Sequence, residues 1–165
     1  MPTKELSSTL SSTLSSTLTT VLADTYALAV KTHGAHWNVV GAGFFELHER
    51  FGEQYEELFE AADEIAERLR ALGAAAPADI RSLATAATLP AASDAHDGMA
   101  LVTALLDDHR SLSRTAAAAV KVAQAAGDEA TADLLIGRVH AHDKTAWMLA
   151  ATAGGGASSR KGKGG

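Results

Sequence analysis

Residues 33–67 read HGAHWNVVGAGFFELHERFGEQYEELFEAADEIAE. The Gly41-Ala42-Gly43 segment near the middle predicts the end of one helix, because glycine readily adopts the left-handed backbone that closes helices. A second helical pattern then runs from Phe44 to about Leu72, with its apolar residues repeating at helical spacing. The segment therefore predicts two long helices that turn back on each other.

Helical periodicity extends through most of the remaining chain. Four long patterns can be followed, and a short one that ends before Pro90 lies between the second and the third. This order predicts an all-α fold, a four-helix bundle with one crossover that contains the short helix. The predicted helices are residues 15 or 16 to 40, 44–72, a short helix within 80–87, 93–126 with Ser93 as the N-cap, and 129–152.

The two ends of the chain differ in composition from the predicted bundle, residues 15–152. Residues 1–14 carry most of a threefold SSTL repeat. Serine and threonine side chains compete for backbone hydrogen bonds, so a mobile arm is predicted there. Residues 153–165 are rich in glycine and contain Arg160, Lys161 and Lys163 but no acid, which predicts a flexible basic tail.

Composition excludes several classes of function. The chain has no cysteine, so a disulfide framework, a zinc–thiolate site and a cysteine nucleophile are all excluded. The net charge of −6 argues against nucleic-acid binding by the folded body. No apolar run approaches the ~18 residues of a membrane span. The N-terminus lacks the apolar segment of a signal peptide, so a cytoplasmic protein without membrane association is expected.

The second predicted helix carries an acidic face. On a helical projection, five of its glutamates fall within about 80° of Asp63 and its apolar residues lie opposite. Like charges on one face repel, and solvated faces usually mix both signs. An ordinary solvated surface and a cation-attracting surface are both compatible with this pattern. The carboxylates beside Asp63 are Glu49, Glu53, Glu56, Glu60 and Glu67.

Two histidines add a possible ligand geometry. His36 precedes Ala42 by six residues and His48 follows it by six, so an antiparallel helix pair places both imidazoles at similar depth. Asp63 and Glu67 lie one turn apart, but Asp63 is ~22 Å along the axis from His48. Either these are two unrelated half-sites, or two subunits pair antiparallel and share ligands across a two-fold axis. Imidazole and carboxylate without sulfur suit iron(II), manganese or zinc.

These residues also carry a resemblance to a known family. KTHGAHWNVVGAGFFELHERF, followed by Asp63-x-x-Ala66-Glu67-Arg68, closely resembles the Dps family, the ferritin-like DNA-protection proteins of starved bacteria. GDEATADLL and HDKTAWMLAA, in residues 127–151, resemble the family's last helix. The likeness covers about residues 17–152. It implies a ferritin-like four-helix bundle that assembles through two-fold dimers into a dodecameric shell.

The resemblance implies a ferroxidase centre between subunits, with iron as its metal. By position, His36 and His48 match the catalytic metal ligands of one subunit, and Asp63 and Glu67 match those of its partner. Such proteins oxidise iron(II), typically with hydrogen peroxide, and store the iron(III) mineral. Trp37 matches the tryptophan at the family's centre, but packing at an interface is the favoured role, with proximity to the metal as its consequence.

One position departs from the family pattern. The family usually has a carboxylate four residues after the second histidine, where this chain has Gly52. Glu49, Glu53 or water would have to replace that ligand. Asp128 and Asp133 resemble acids that line the family's iron-entry channels, but acids near a helix N-terminus are also favoured by the helix dipole.

Arg160, Lys161 and Lys163 resemble the basic tails by which some Dps proteins bind DNA. Many tails on one particle would act together, without sequence preference, and would associate the protein with the nucleoid. A solubilising end is the alternative. For the whole protein, the alternatives are a structural nucleoid-compacting protein with a weakened ferroxidase centre and a monomeric helical bundle.

Overall fold

The computed structural model describes residues 2–154, with side chains from Thr9 onward. Four long helices and one short helix make up this part of the chain, and its only β contact is an isolated bridge between Val40 and Asp97. The predicted all-α bundle with a short helix in the crossover is therefore confirmed. The helices are α1 Pro2–Asn38, α2 Phe44–Ala71, α3 Ile80–Ala86, α4 Gly98–Ala125 and α5 Glu129–Thr152.

The first helix begins earlier than the sequence predicts. It starts at Pro2 rather than at Ser15 or Ser16. Leu14 and Leu18 of the SSTL repeat are buried, because their four-residue spacing keeps them on the side that faces the bundle. The hydroxyl of Thr13 donates to the carbonyl of Thr9 one turn earlier, which is compatible with a helix. Mobility of residues 1–14 stays a prediction.

The start of α4 also differs from the prediction. Asp97, not Ser93, is the N-cap, and its carboxylate accepts hydrogen bonds from the amides of Met99 and Ala100. The Ser93 hydroxyl instead accepts from the amide of Ala95. The helix therefore begins four residues later than expected.

Helix pairs α1–α2 and α4–α5 form the bundle, and α1 also packs against α4. Two apolar clusters fill its interior, one around Phe51, Leu58 and Leu112 and the other around Leu18 and Ile65. Several polar side chains are buried as well. They are Asp24, Thr25, Thr32, Gln54, Asp108, His109, Ser113, Thr131, Arg138 and His142.

The crossover is anchored on α1 by a buried carboxylate. Asp24 accepts hydrogen bonds from the backbone amide and hydroxyl of Thr88 and from the amide of Leu89. Farther along α1, Lys31 donates to the carbonyl of Pro90. These contacts fix the path of the chain after α3 and so position the end of the bundle that holds the two histidines.

Candidate metal centre

Glycines shape the α1–α2 turn. Gly41 and Gly43 have φ values of 96° and 76°, a backbone region that other residues rarely adopt. The amide of Val40 donates to the carbonyl of His96, which ties the turn to the segment before α4. This turn brings the end of α1 beside the start of α2.

His36 and His48 lock each other in place across the turn. His36 Nδ1 donates to the carbonyl of His48 at 2.7 Å, and His48 Nδ1 donates to the carbonyl of His36 at 2.8 Å. The rings are nearly parallel, with centroids 3.8 Å apart. A carbonyl oxygen can only accept, so each Nδ1 carries its hydrogen and each neutral ring leaves the lone pair on Nε2. A fixed tautomer with a free Nε2 is the arrangement of a metal-binding histidine.

Aromatic rings surround the histidine pair. Phe44 stacks on His48 with centroids 5.4 Å apart, and Tyr55 meets His36 edge-on at the same distance. His33 lies one turn before His36 on α1, between Tyr55 at 4.0 Å and Trp37 at 4.1 Å. Sequence reasoning assigned no role to His33, although its three-residue spacing from His36 places both on one helix face.

Gly52 lies directly against His36. A β-carbon at position 52 would meet Cε1 and Nδ1 of the His36 ring, each at 3.4 Å. The position therefore faces the histidine pair. In this chain that position supplies no ligand.

Asp63 and Glu67 form a separate acidic pair farther along α2. Both are exposed. Asp63 lies in a shallow groove beside Tyr26 and Phe59. Among the side chains that the structure describes, residues 9–154, no three histidines or carboxylates cluster closely enough to hold a metal ion. In the described part of one chain, the histidine pair and the acidic pair are therefore separate, and neither is a complete metal site.

The two predicted supplementary ligands are exposed on α2. Glu53 forms an ion pair with Arg50, so its carboxylate would have to leave that guanidinium to bind a metal. Glu49 lies beside them in a shallow surface depression. Their roles as ligands stay predictions.

The rest of α2 has the two faces that its periodicity predicts. The carboxylates on the Asp63 face are all exposed. Phe44 is 37 % exposed although it is apolar, because it lies at the start of the helix beside the turn. The buried members of the apolar face are Leu47, Phe51, Leu58, Ala62, Ile65 and Leu69.

Asp128 has a structural role in the fold. It is the N-cap of α5, accepts hydrogen bonds from the amide and hydroxyl of Thr131, and pairs through both oxygens with Arg68 of α2. Partial burial raises the pKa of Asp128, but the hydrogen bonds from Thr131 and the Arg68 charge outweigh it and hold the pKa below its ordinary value. Asp133 is exposed one turn into α5. A channel role for these two acids stays a prediction.

Known proteins of one class, the ferritin-like proteins, match this chain. The family model for the Ferritin-like domain matches residues 16–156. DNA protection during starvation protein 2 of Bacillus anthracis is 35 % identical over 79 % of this chain and 89 % of its own length. An uncharacterised low temperature-induced protein of Nostoc is 40 % identical over 78 % of this chain and 73 % of its own.

A solved structure agrees with this class. The Dps protein of Vibrio cholerae, described as a member of a broad superfamily of ferritin-like diiron-carboxylate proteins, matches with a TM-score of 0.84 at 33 % identity. The match covers 87 % of this chain and 91 % of that one. The chain therefore belongs to the Dps family of ferritin-like proteins. At the level of the family, this membership supports iron storage and DNA protection. Within residues 2–154, no helix is both long and apolar enough to cross a membrane.

Proposed function

We propose that this chain is a ferroxidase and iron-storage subunit whose iron-oxidising centre is built between two subunits. The observation that carries the proposal is the reciprocal hydrogen bonding of His36 and His48, which fixes both rings with Nε2 free. Nitrogen from these rings and oxygen from Asp63 and Glu67 make a ligand set that suits iron(II).

Separation of the half-sites supports assembly from two chains. His48 and Asp63 lie on one straight helix, ~22 Å apart along its axis, so one ion cannot contact both within a subunit. An antiparallel two-fold pair would bring His36 and His48 of each chain to Asp63 and Glu67 of the other, and would create two equivalent centres. We propose that six such pairs form a dodecameric shell. A sizing measurement that gives a monomer would refute the assembly.

Iron is the substrate of the proposed reaction, with hydrogen peroxide as the oxidant. Two iron(II) ions each give one electron, and peroxide with two protons becomes two waters, so no hydroxyl radical is released. The imidazoles and carboxylates would hold the ions during this transfer. Carboxylates along α2 would attract the cations and bind the oxidised product, because a surface of one charge sign concentrates the opposite ion.

Anaerobic titration with iron(II), followed by peroxide, tests the proposal. Wild-type protein should bind about two ions per centre and oxidise them quickly, as ligand sets of this type allow. His36→Ala and Asp63→Ala should each lose binding and oxidation. Glu64→Ala is the matched control, since it removes an exposed acid of α2 that is neither a proposed ligand nor on the Asp63 face. Equal loss in all three variants would contradict the assignment of the ligands.

A second candidate function is a structural protein of the nucleoid with a weakened ferroxidase centre. Gly52 favours this candidate, because the position beside His36 carries no carboxylate. Absence of iron binding by the wild-type protein, together with DNA binding, would support this candidate over the first.

DNA binding is proposed for the basic tail, through Arg160, Lys161 and Lys163, which lie outside the described residues. Each tail contributes only a few phosphate contacts, so binding requires many tails on one particle to act together. Deletion of residues 157–165 removes all of these contacts and should abolish a DNA mobility shift while leaving the assembly intact. A shift that persists in the deleted protein would refute the role of the tail.

A further inference from the structure

Two histidines that the proposed metal centre does not use are paired inside the bundle. His109 of α4 and His142 of α5 are 2 % and 1 % exposed, and their Nδ1 atoms lie 3.0 Å apart. A hydrogen bond between two ring nitrogens needs one donor and one acceptor, so at least one ring must be neutral. The pair is a direct polar link between α4 and α5 that two protonated rings could not form.

A fixed positive charge lies close to the pair. Arg138 is on α5, one turn before His142, and its guanidinium pairs with Glu57 of α2. Its side chain is largely buried, so water screens the charge weakly. A proton added to either imidazole would therefore place a second positive charge beside Arg138.

The acidic groups on the surrounding helices are already engaged. Asp108, next to His109 on α4, forms an ion pair with Lys31 of α1. Asp143, next to His142, accepts a hydrogen bond from Ser113 of α4. Glu57 of α2 holds Arg138. Asp108 and Glu57 could neutralise an imidazolium only by giving up the cation that each one pairs with, whereas the partner of Asp143 is an uncharged hydroxyl.

Both histidines resist protonation in the folded chain. Burial, with the Arg138 charge, lowers the pKa of His109 to about 4. Burial, His109 and Arg138 lower the pKa of His142 to about 2. An unfolded chain takes up these protons near the ordinary value of 6.5. The stability that the neutral pair contributes is therefore complete above pH 6.5 and is lost progressively as the pH falls through 4, for His109, towards 2, for His142.

We propose that the His109–His142 pair is an acid-sensitive latch that holds α5 against α4 when neutral and lets the two helices separate in mildly acidic solution. Separation would expose the rings to water, where they accept protons at no desolvation cost. The contacts of α5 with α2, through Arg138–Glu57 and Asp128–Arg68, would weaken with it. The latch lies within one chain and does not depend on the proposed iron centre.

Acid titration of the full-length protein tests the latch. Far-UV circular dichroism would report helix content, and hydrogen–deuterium exchange of the α5 amides around His142 would report local loosening. The double variant His109→Leu/His142→Leu removes both titrating groups and leaves no unpaired polar atom in their place. Its acid midpoint should lie at least about one pH unit below that of the wild type. His140→Gln, which replaces an exposed histidine of α5, should leave the midpoint unchanged.

Equal midpoints in the wild type and the double variant would overturn the proposal. A second measurement needs no variant: ¹³C-labelled histidine side chains can be followed by nuclear magnetic resonance in the wild-type protein. Of the seven histidines, two should remain neutral at pH 5 while the chain is folded. Titration of all seven near pH 6.5 in the folded protein would also refute the latch.

Discussion

A carboxylate introduced at position 52 would test the geometry of the proposed metal centre. The perturbation is Gly52→Asp, and Gly52→Ala is its matched control. A β-carbon there lies 3.4 Å from two atoms of the His36 ring, at the near limit of ordinary van der Waals contact, so the β-carbon of either side chain fits. Both replacements favour the helix, alanine by about 1 kcal/mol and aspartate by a few tenths. Because alanine favours the helix more than aspartate does, tighter metal binding by the aspartate variant cannot come from helix stability.

The expected increase in iron(II) affinity follows from the charge of the added carboxylate alone. A carboxylate about 4 Å from a divalent ion contributes about 2 kcal/mol even with the dielectric constant of water. That free energy corresponds to a roughly 30-fold lower dissociation constant. Anaerobic calorimetric titration with iron(II) would compare the two variants directly. Equal affinities would show that position 52 does not face the metal and would refute the placement of the ion beside His36.

Three further substitutions test the fold. Phe51→Ala empties a fully buried position and should cost about 3–5 kcal/mol in urea unfolding, whereas a loss below about 1 kcal/mol would contradict the packing. Asp24→Ala removes the acceptor that anchors the crossover, so the amide of Thr88 should exchange faster with deuterium, and unchanged exchange would contradict that contact. Arg68→Met should lower stability by about 1 kcal/mol near pH 7. Because the pKa of Asp128 is lowered in the folded chain, this difference should persist above pH 4 and vanish as acid protonates the carboxylate. A difference that is constant with pH would refute the ion pair.

Periodicity was sufficient to predict the number and order of the helices and their buried faces, because burial in a bundle depends mainly on which side of the helix a residue occupies, but it did not predict where α1 begins. Leu58 and Ile65 are examples from α2. The start of α4 was not predictable in this way. Ser93 and Asp97 are both good N-caps, and the choice depends on the α1–α2 turn, where Val40 contacts His96 and Asp97.

The geometry of the sites depends on contacts between residues far apart in the sequence, so it could be predicted only in part. The similar depth of His36 and His48 along the helix pair could be predicted from their equal distance to the turn. Their mutual hydrogen bonds could not, because these depend on the backbone conformation of that turn. The pairing of His109 with His142 links positions 33 residues apart on two helices. No local pattern encodes that pair, so only the packing of α4 against α5 reveals it.

Mixing two inactive variants tests directly whether the metal centre is shared between subunits. One variant carries His36→Ala and His48→Ala, and the other carries Asp63→Ala and Glu67→Ala. In a mixed two-fold pair, one centre would lose all four ligands and the other would keep all four. If the chains are unfolded together and refolded at equal amounts, random pairing should restore about a quarter of the wild-type centres in iron(II) binding and oxidation. A mixture as inactive as its two parents would contradict a centre shared between subunits.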